Sequence, residues 1–434
     1  MKRSANTRGN LLTAVVANHK GKIFDLPGFA AVGMAQESFI PLAVEKTQNM
    51  PSGSELMFLP DRSPILYNQN KGCFETLCKN PYRPEEKLYP VAVFNSPGYI
   101  SSFISAFREN RGAKILPLFS YGAVGWYRGK FRSSVIIVDR EKRQDIRLMK
   151  QKKILAGVNQ NRKQMPSNRL RAHLEKCALT YRCPAGKNFF LGRYEAPLPT
   201  SRQCNARCLG CISLQKNNDI PCSQDRIDFT PTPEEIAEVA LAHINRVKNS
   251  VASFGQGCEG EPLLAANVIE PAIRIIRSVT HRGTINLNTN GSRPEILKNL
   301  FDAGLDSIRI SMNSVRANCY LAYFRPQSYG FRDVLTSITV ALERGKFVSI
   351  NYLNCPGFTD TRKEVDALVK FIEQYPINMI QWRNLNFDPV RYWKIMNRVK
   401  IHGQPVGMES LLNKIRILFP KLKYGYFNPP KEKF

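Results

Sequence analysis

From about residue 197 onward the chain alternates two periods of hydrophobicity, and this limits its possible folds more than any other feature of its 434 residues. Strand-like apolar runs recur at Val251–Phe254, Thr284–Leu287, Ser307–Met312, Phe347–Leu353 and Asn378–Trp382. Amphipathic helices are predicted between them. The first is well marked: Thr232 is its N-cap, Pro233 stands at N1 and Glu235 completes a capping box. Ile236, Val239, Ala240, Ile244 and Val247 then form one apolar stripe. Further helices are expected at Pro294–Ala303, stopped by Gly304, at Phe331–Arg344, stopped by Gly345, and at Arg362–Gln374. Such alternation predicts a parallel sheet with right-handed crossovers. One more strand just before Cys204 makes six β/α units, closing as an open sheet or as an incomplete barrel. In parallel β/α folds the chemistry lies at the C-terminal ends of the strands.

Ahead of Pro197-Leu198-Pro199 the pattern differs. Leu11–Val16, Pro90–Phe94 and Ser134–Asp139 read as strands punctuated by Pro, Gly and Asn, so an N-terminal α+β domain is expected over 1–190. Leu11–Val16 should turn at Asn18-His19-Lys20-Gly21. Gly125-Trp126-Tyr127-Arg128-Gly129-Lys130 is one residue short of a phosphate loop, and Phe131 stands where Ser or Thr is needed, so a hairpin is expected. The basic stretch Arg140–Lys176 reads as a nucleic-acid-facing helix pair or a solvated linker, and the linker is favoured. Residues 391–434 are expected to form a C-terminal helical extension and tail.

The formal charge of +28 would draw RNA, DNA, acidic peptides or anionic membranes, yet charge alone carries no specificity, and a general basic bias explains it as well. No apolar run approaches the ~20 residues of a membrane span. The start, Met1-Lys2-Arg3, is basic, but the following run Leu11–Ala17 is too short and too broken for a signal peptide, so a cytoplasmic protein is expected.

Eleven cysteines, an odd number, argue for thiols or metal ligands over a disulfide framework. Cys204, Cys208 and Cys211 stand as C-x3-C-x2-C just after the expected first strand of the β/α repeat. Three thiolates suit zinc or iron–sulfur. A zinc site needs a fourth ligand; Cys222 is near, but that spacing is not a common zinc pattern. A 4Fe–4S cluster on three cysteines leaves one iron open, as a catalytic cluster requires.

With this loop the chain resembles the radical S-adenosylmethionine (SAM) superfamily, over about residues 195–390. The resemblance implies a partial (β/α)6 barrel of parallel strands, a 4Fe–4S cluster on Cys204, Cys208 and Cys211, and SAM chelated at the open iron. It further implies reductive cleavage of SAM to a 5′-deoxyadenosyl radical, with an electron donor such as flavodoxin or ferredoxin. Gly210 departs from the pattern, which has an aromatic residue before the third cysteine. Gly255-Gln256-Gly257-Cys258-Glu259-Gly260-Glu261-Pro262 resembles the family's Gly-Gly-Glu-Pro segment, with Glu259 replacing its first glycine. Gly260, Glu261 and Pro262 are therefore expected at SAM, Glu261 and nearby carbonyls accepting from its ammonium group; an ordinary strand-to-helix turn is the plain alternative.

Asn286, Asn288 and Asn290 share one side of a strand, as do Arg309, Ser311 and Asn313. Buried parallel strands normally read as continuous Val, Ile and Leu, so these residues predict a wet or ligand-lined interior. The resemblance points to Ser311 and Asn313 for the SAM ribose and carboxylate. Arg383 and Asn384, ending the sixth unit, are candidates for substrate or SAM contacts. Cys177, Cys183 and Cys258 could ligate an auxiliary cluster or simply pack; Cys73, Cys78, Cys319 and Cys355 read as packing residues. The resemblance does not name the substrate (RNA, a peptide or a small anion) or a catalytic side chain. A non-enzymatic zinc or iron–sulfur protein, RNA-associated or not, is the competing class.

Overall fold

The computed structural model describes residues 10–142, 145–215, 220–399 and 403–434, and the chain forms two compact units. Met1-Lys2-Arg3 lies outside the described residues. The first unit runs to Ile137 and takes in Asn354–Lys363 and Asn384–Asn413; the second holds Val138–Leu353, Glu364–Arg383 and Lys414–Phe434.

The first unit is β-rich. Thr13–Ala17 pairs antiparallel with Ile23–Ala30, Tyr89–Phe94 and Val124–Tyr127. Side chains alternate across a strand, and here both faces are apolar. Ala14 and Val16 join Leu26, Phe29, Leu66 and Leu88; Val15 and Ala17 join Val91, Val93 and Val124. The expected turn forms because Asn18 Oδ1 accepts from Lys20 N and Lys22 N at 3.1 Å each. The expected hairpin forms too: Val124–Tyr127 pairs with Lys130–Ser133, and Arg128 and Gly129 both take positive φ.

Late segments complete this unit. Arg62 is buried, and its Nη2 donates to Asp388 Oδ2 at 3.0 Å, Lys114 O at 2.8 Å and Glu109 Oε1 at 3.3 Å. Asp388 also accepts from Leu116 N at 3.1 Å. Asn384 Oδ1 accepts from Ser101 N at 2.8 Å, and its Nδ2 donates to Tyr99 O at 2.9 Å.

No α-helix precedes Ile137 among the described residues; the helices of this β-rich unit, Pro389–Arg398 and the start of Met408–Leu418, come from late in the chain. The helices within 138–190 belong to the second unit. They are α1 (Gln151–Gln164), α2 (Arg169–Leu179) and α3 (Pro184–Phe190). The linker reading of Arg140–Lys176 is thereby corrected. Ile154 and Val158 on α1, and Leu170 and Leu174 on α2, fall four apart on one face and are buried. Glu175 accepts from Arg162 and, at 2.7 Å, from Arg171, offsetting the basic run. A Cβ on Gly157 would lie 2.0 Å from Phe190 O, so α1 packs on α3 at backbone distance.

The second unit is the expected α/β fold, a half-barrel of seven strands in sequence order. These are β1 (Glu195–Pro197), β2 (Val251–Phe254), β3 (Thr284–Thr289), β4 (Ser307–Met312), β5 (Phe347–Asn354), β6 (Met379–Asn384) and β7 (Lys423–Gly425). The pairings β1–β2, β2–β3, β3–β4, β4–β5 and β6–β7 are parallel. The intervening helices include α4 (Pro233–Arg246), α5 (Ala266–Val279), α6 (Pro294–Ala303), α7 (Ala317–Phe324), α8 (Phe331–Glu343) and α9 (Arg362–Gln374). The capping box at Thr232 and Glu235 is present. Residues 391–434 are more than an extension, because β7 is a seventh strand of the sheet.

Ile285, Leu287, Ile308, Ile310, Val348 and Ile350 occupy one face of the strands and are completely buried. The other face is polar and bonded to itself. Asn286 Nδ2 donates to Ser253 Oγ and Asn288 Oδ1 at 2.9 Å each, and Ser307 Oγ donates to Asn286 Oδ1 at 2.9 Å. Gln381 Nε2 donates to Asn428 Oδ1 at 3.0 Å, while Asn428 Nδ2 donates to Glu195 Oε1 at 2.8 Å and Ser253 Oγ at 3.0 Å.

Candidate functional site

The C-terminal ends of β1–β4 carry the loop of three cysteines. Cys204, Cys208 and Cys211 are all partly buried. The loop backbone is held from α7, Arg207 N donating to Phe324 O at 2.9 Å and Leu209 N to Tyr323 O at 3.1 Å. It is held from β3 as well: Asn290 Nδ2 donates to Asn205 Oδ1 at 2.8 Å, and Asn205 Nδ2 to Ser292 Oγ at 2.9 Å. Arg226 Nη2 lies 3.5 Å from Cys211 Sγ, a cation beside the third cysteine that the sequence did not single out. Burial, with the charge of Glu261, pushes the Cys204 thiol up to about 11, and burial pushes Cys208 well up too. Such thiols ionise only against a bound positive centre.

The glycine segment after β2 lies against this loop. Gly260 N donates to Ser201 O at 2.7 Å and Glu261 N to Gln203 O at 2.8 Å. A Cβ on Gly260 would sit 1.9 Å from Gln203 O. Glycine is required here because the segment and the cysteine loop touch backbone to backbone. Glu259 is buried and gathers Thr200 N at 2.8 Å, Ser201 N at 3.0 Å, and Gly255 N and Gln256 N at 2.7 Å each. It clamps the root of the loop to the glycine turn.

Glu261 was expected to accept from the SAM ammonium group. Its carboxylate is instead engaged within the fold, accepting from Thr289 Oγ1, from Asn290 N at 2.8 Å and from Leu263 N at 3.1 Å. Burial pushes it up to about 7. Pro262 opens a short 3-10 turn capped by Glu261, so the plain turn reading also holds. Ser311 is half-buried on β4. Asn313 is buried, with Nδ2 donating to Cys319 O at 3.2 Å. Asn384 belongs with Tyr99 and Ser101 in the β-rich unit and does not serve the inner face of the sheet. Arg383 belongs to the half-barrel and stacks 3.6 Å above the Tyr426 ring. Cys222 is exposed.

Sequence reasoning missed two further groups. Tyr320, Tyr323 and Phe324 lie on one side of α7, Tyr320 stacks on Phe324 at 4.4 Å, and the Gly210 backbone bonds the Tyr323 hydroxyl. An aromatic ring thus reaches the position where the loop itself carries glycine; the i, i+3, i+4 spacing was the available signal. The second is Arg309, noted only as a polar strand residue. Its Nη1 donates to Gln381 Oε1 at 3.0 Å, and burial, with the like charge of Arg383, pulls it down to about 9.

Residues 198–372 match the family model of the radical SAM superfamily. That stretch is a domain of the radical SAM superfamily. Enzymes of the radical SAM superfamily use a 4Fe–4S cluster and SAM. A GTP 3',8-cyclase of Chlorobaculum tepidum is 25% identical over 228 residues, covering 51% of this chain and 60% of that protein. The GTP 3',8-cyclase of Corynebacterium glutamicum is 29% identical over 199 residues, 42% of this chain and 49% of that one. Molybdenum cofactor biosynthesis protein 1 of Mus musculus is 27% identical, over 45% of this chain and 30% of that protein. The alignments thus span about half the length of the curated relatives. Among solved structures, the FeFe-hydrogenase maturase HydG from Carboxydothermus hydrogenoformans aligns at 14% identity and TM-score 0.37, covering 65% of this chain and 70% of that one.

The residues present suit the radical SAM cofactors. Three thiols share one loop at the strand ends, backed by a glycine segment with no room for a side chain at Gly260. Among the described residues no helix is long and apolar enough to cross a membrane.

Proposed function

We propose that this chain is a radical SAM enzyme acting on a small anionic substrate, with Cys204, Cys208 and Cys211 as the ligands of its 4Fe–4S cluster. The observation that carries the reading is the cysteine loop fastened at the strand ends against Gly260. When bound, the cluster and SAM supply a 5′-deoxyadenosyl radical, given an electron from a donor such as flavodoxin or ferredoxin. Gly260 lets the segment after β2 lie against the loop, and the Gly260 carbonyl, with Ser311, is offered to SAM. Asn313 and the Glu261 carboxylate hold strand ends in place. Tyr323 and Phe324 wall the loop from α7.

Arg309 and Arg383 support the substrate class. Two guanidinium groups share the inner face with the carboxylate of Glu195, and an anion would relieve their mutual repulsion. The curated relatives named GTP 3',8-cyclase make GTP the first compound to try.

The test is anaerobic. Wild-type protein reconstituted with iron and sulfide, reduced and given SAM should form 5′-deoxyadenosine, and Cys208→Ala should form none. A variant that matches wild type removes the loop from the reaction. Arg309→Met should raise the KM of an accepted anionic substrate while leaving unprompted SAM cleavage in place.

A further inference from the structure

Three cysteines outside the loop had two sequence readings, auxiliary ligands or packing. The structure adds a histidine to them. His173 and Cys177 stand one turn apart on α2 and so share a face. His173 Nε2 lies 3.5 Å from Cys177 Sγ. Cys258, from the glycine segment after β2, meets them from the other side, and one ligand atom from each of the three lies within 4.8 Å of the others. Cys177 and Cys258 are buried and unbridged; His173 is half-buried, its ring edge against Phe229. Cys183 lies in the same neighbourhood. Its N–H donates to Cys177 O at 2.9 Å, and its thiol is near enough for its charge to bear on Cys177 and Cys258.

Plain packing accounts for buried cysteines, but not for two thiols and an imidazole nitrogen converging from elements about 80 residues apart. The spacing distinguishes the metal. Zinc bonds of ~2.3 Å to sulfur and ~2.0 Å to nitrogen put tetrahedral ligand atoms roughly 3.5–3.8 Å apart. A 4Fe–4S cubane spreads its thiolates over several irons and so holds them farther apart. A histidine among cysteines also favours zinc.

We propose that His173, Cys177 and Cys258, with Cys183 as the fourth ligand, hold a structural zinc ion that pins α2 to the segment carrying Gly260 and Glu261. This site is separate from the loop cluster and does not depend on the proposed function.

The experiment is metal analysis of the full chain, expressed with zinc in the medium. A Cys204→Ala/Cys208→Ala/Cys211→Ala variant should lose iron and sulfide yet keep about one zinc per chain. Adding Cys177→Ser and Cys258→Ser should abolish that zinc. If those changes unfold the chain, as circular dichroism would show, the milder His173→Gln decides: zinc transfer to a chromogenic chelator should be roughly tenfold faster, and His173→Cys should restore wild-type retention. Cobalt in place of zinc should give the intense visible bands of a tetrahedral thiolate site. A triple variant without zinc, or with iron and acid-labile sulfide at these residues, overturns the proposal, as does zinc release unchanged by His173→Gln.

Discussion

The two units spend their interiors differently. In the β-rich unit, Thr13–Ala17 is apolar on both faces, and the buried charges, Arg62 and Asp388, answer one another directly. In the half-barrel only one face of the strands is apolar. The other carries Ser253, Asn286, Asn288, Ser307, Arg309 and Gln381, knitted by hydrogen bonds. A buried polar group is tolerated when satisfied and expensive when not. In the first unit polarity is a fastening; in the second it lines one face of the strands with hydrogen bonds between side chains. Among the described residues, Arg309 Nε and Arg383 Nε are buried without a hydrogen-bond partner.

The contrast is sharpest at Arg62. Arg62→Met should cost about 3–5 kcal/mol in chemical denaturation, because it strands a buried carboxylate. Arg309→Met, against a half-buried group beside a second cation, should cost far less; equal losses would break the comparison.

Next is His243, on the apolar side of the half-barrel, whose Nε2 pairs with Tyr194 O at 3.1 Å. Burial pulls it down to about 4. The folded pKa lies below the unfolded one, so the unfolded chain takes the proton first, and stability is lost as pH falls from about 6.5 toward 4. His243→Phe should remove up to about 3 kcal/mol of that slope, read as denaturation midpoints across the interval.

Asn428→Ala should follow, at roughly 1–3 kcal/mol, since it takes a donor from Glu195 on β1 and an acceptor from Gln381 on β6. Gly260→Ala should cost a similar ~1–3 kcal/mol by overpacking, and more tellingly lower the iron bound per reconstituted chain. The smallest effect is Thr232→Ala, about 1 kcal/mol for a helix cap remote from both polar interiors.

The strands of the half-barrel were readable where hydrophobic runs were long: Val251–Phe254 and Ser307–Met312 match residue for residue. The capping box was equally legible, because it is local chemistry. What escaped was non-local. β7 is three residues, Lys423–Gly425, with no pattern of its own. α1 and α2 hid behind their charge, though Ile154, Val158, Leu170 and Leu174 already carried the helical spacing. At the site, the cysteine triplet and the glycine segment were evident from spacing, but the clamp by Glu259 was not. It sits where the family pattern has glycine, and its partners at Thr200 and Ser201 lie almost 60 residues upstream. Likewise His173 carried no motif, since its neighbour Cys258 comes from another element.

The Arg62–Asp388 pair carries a consequence for synthesis. Roughly 250 residues separate Ile137 from Asp388. At ~5–20 residues per second, the partner of Arg62 leaves the ribosome roughly 12–50 s after the strands it stabilises. During that interval the nascent sheet holds the Arg62 guanidinium against Glu109 without Asp388, so the first unit is completed by segments made late.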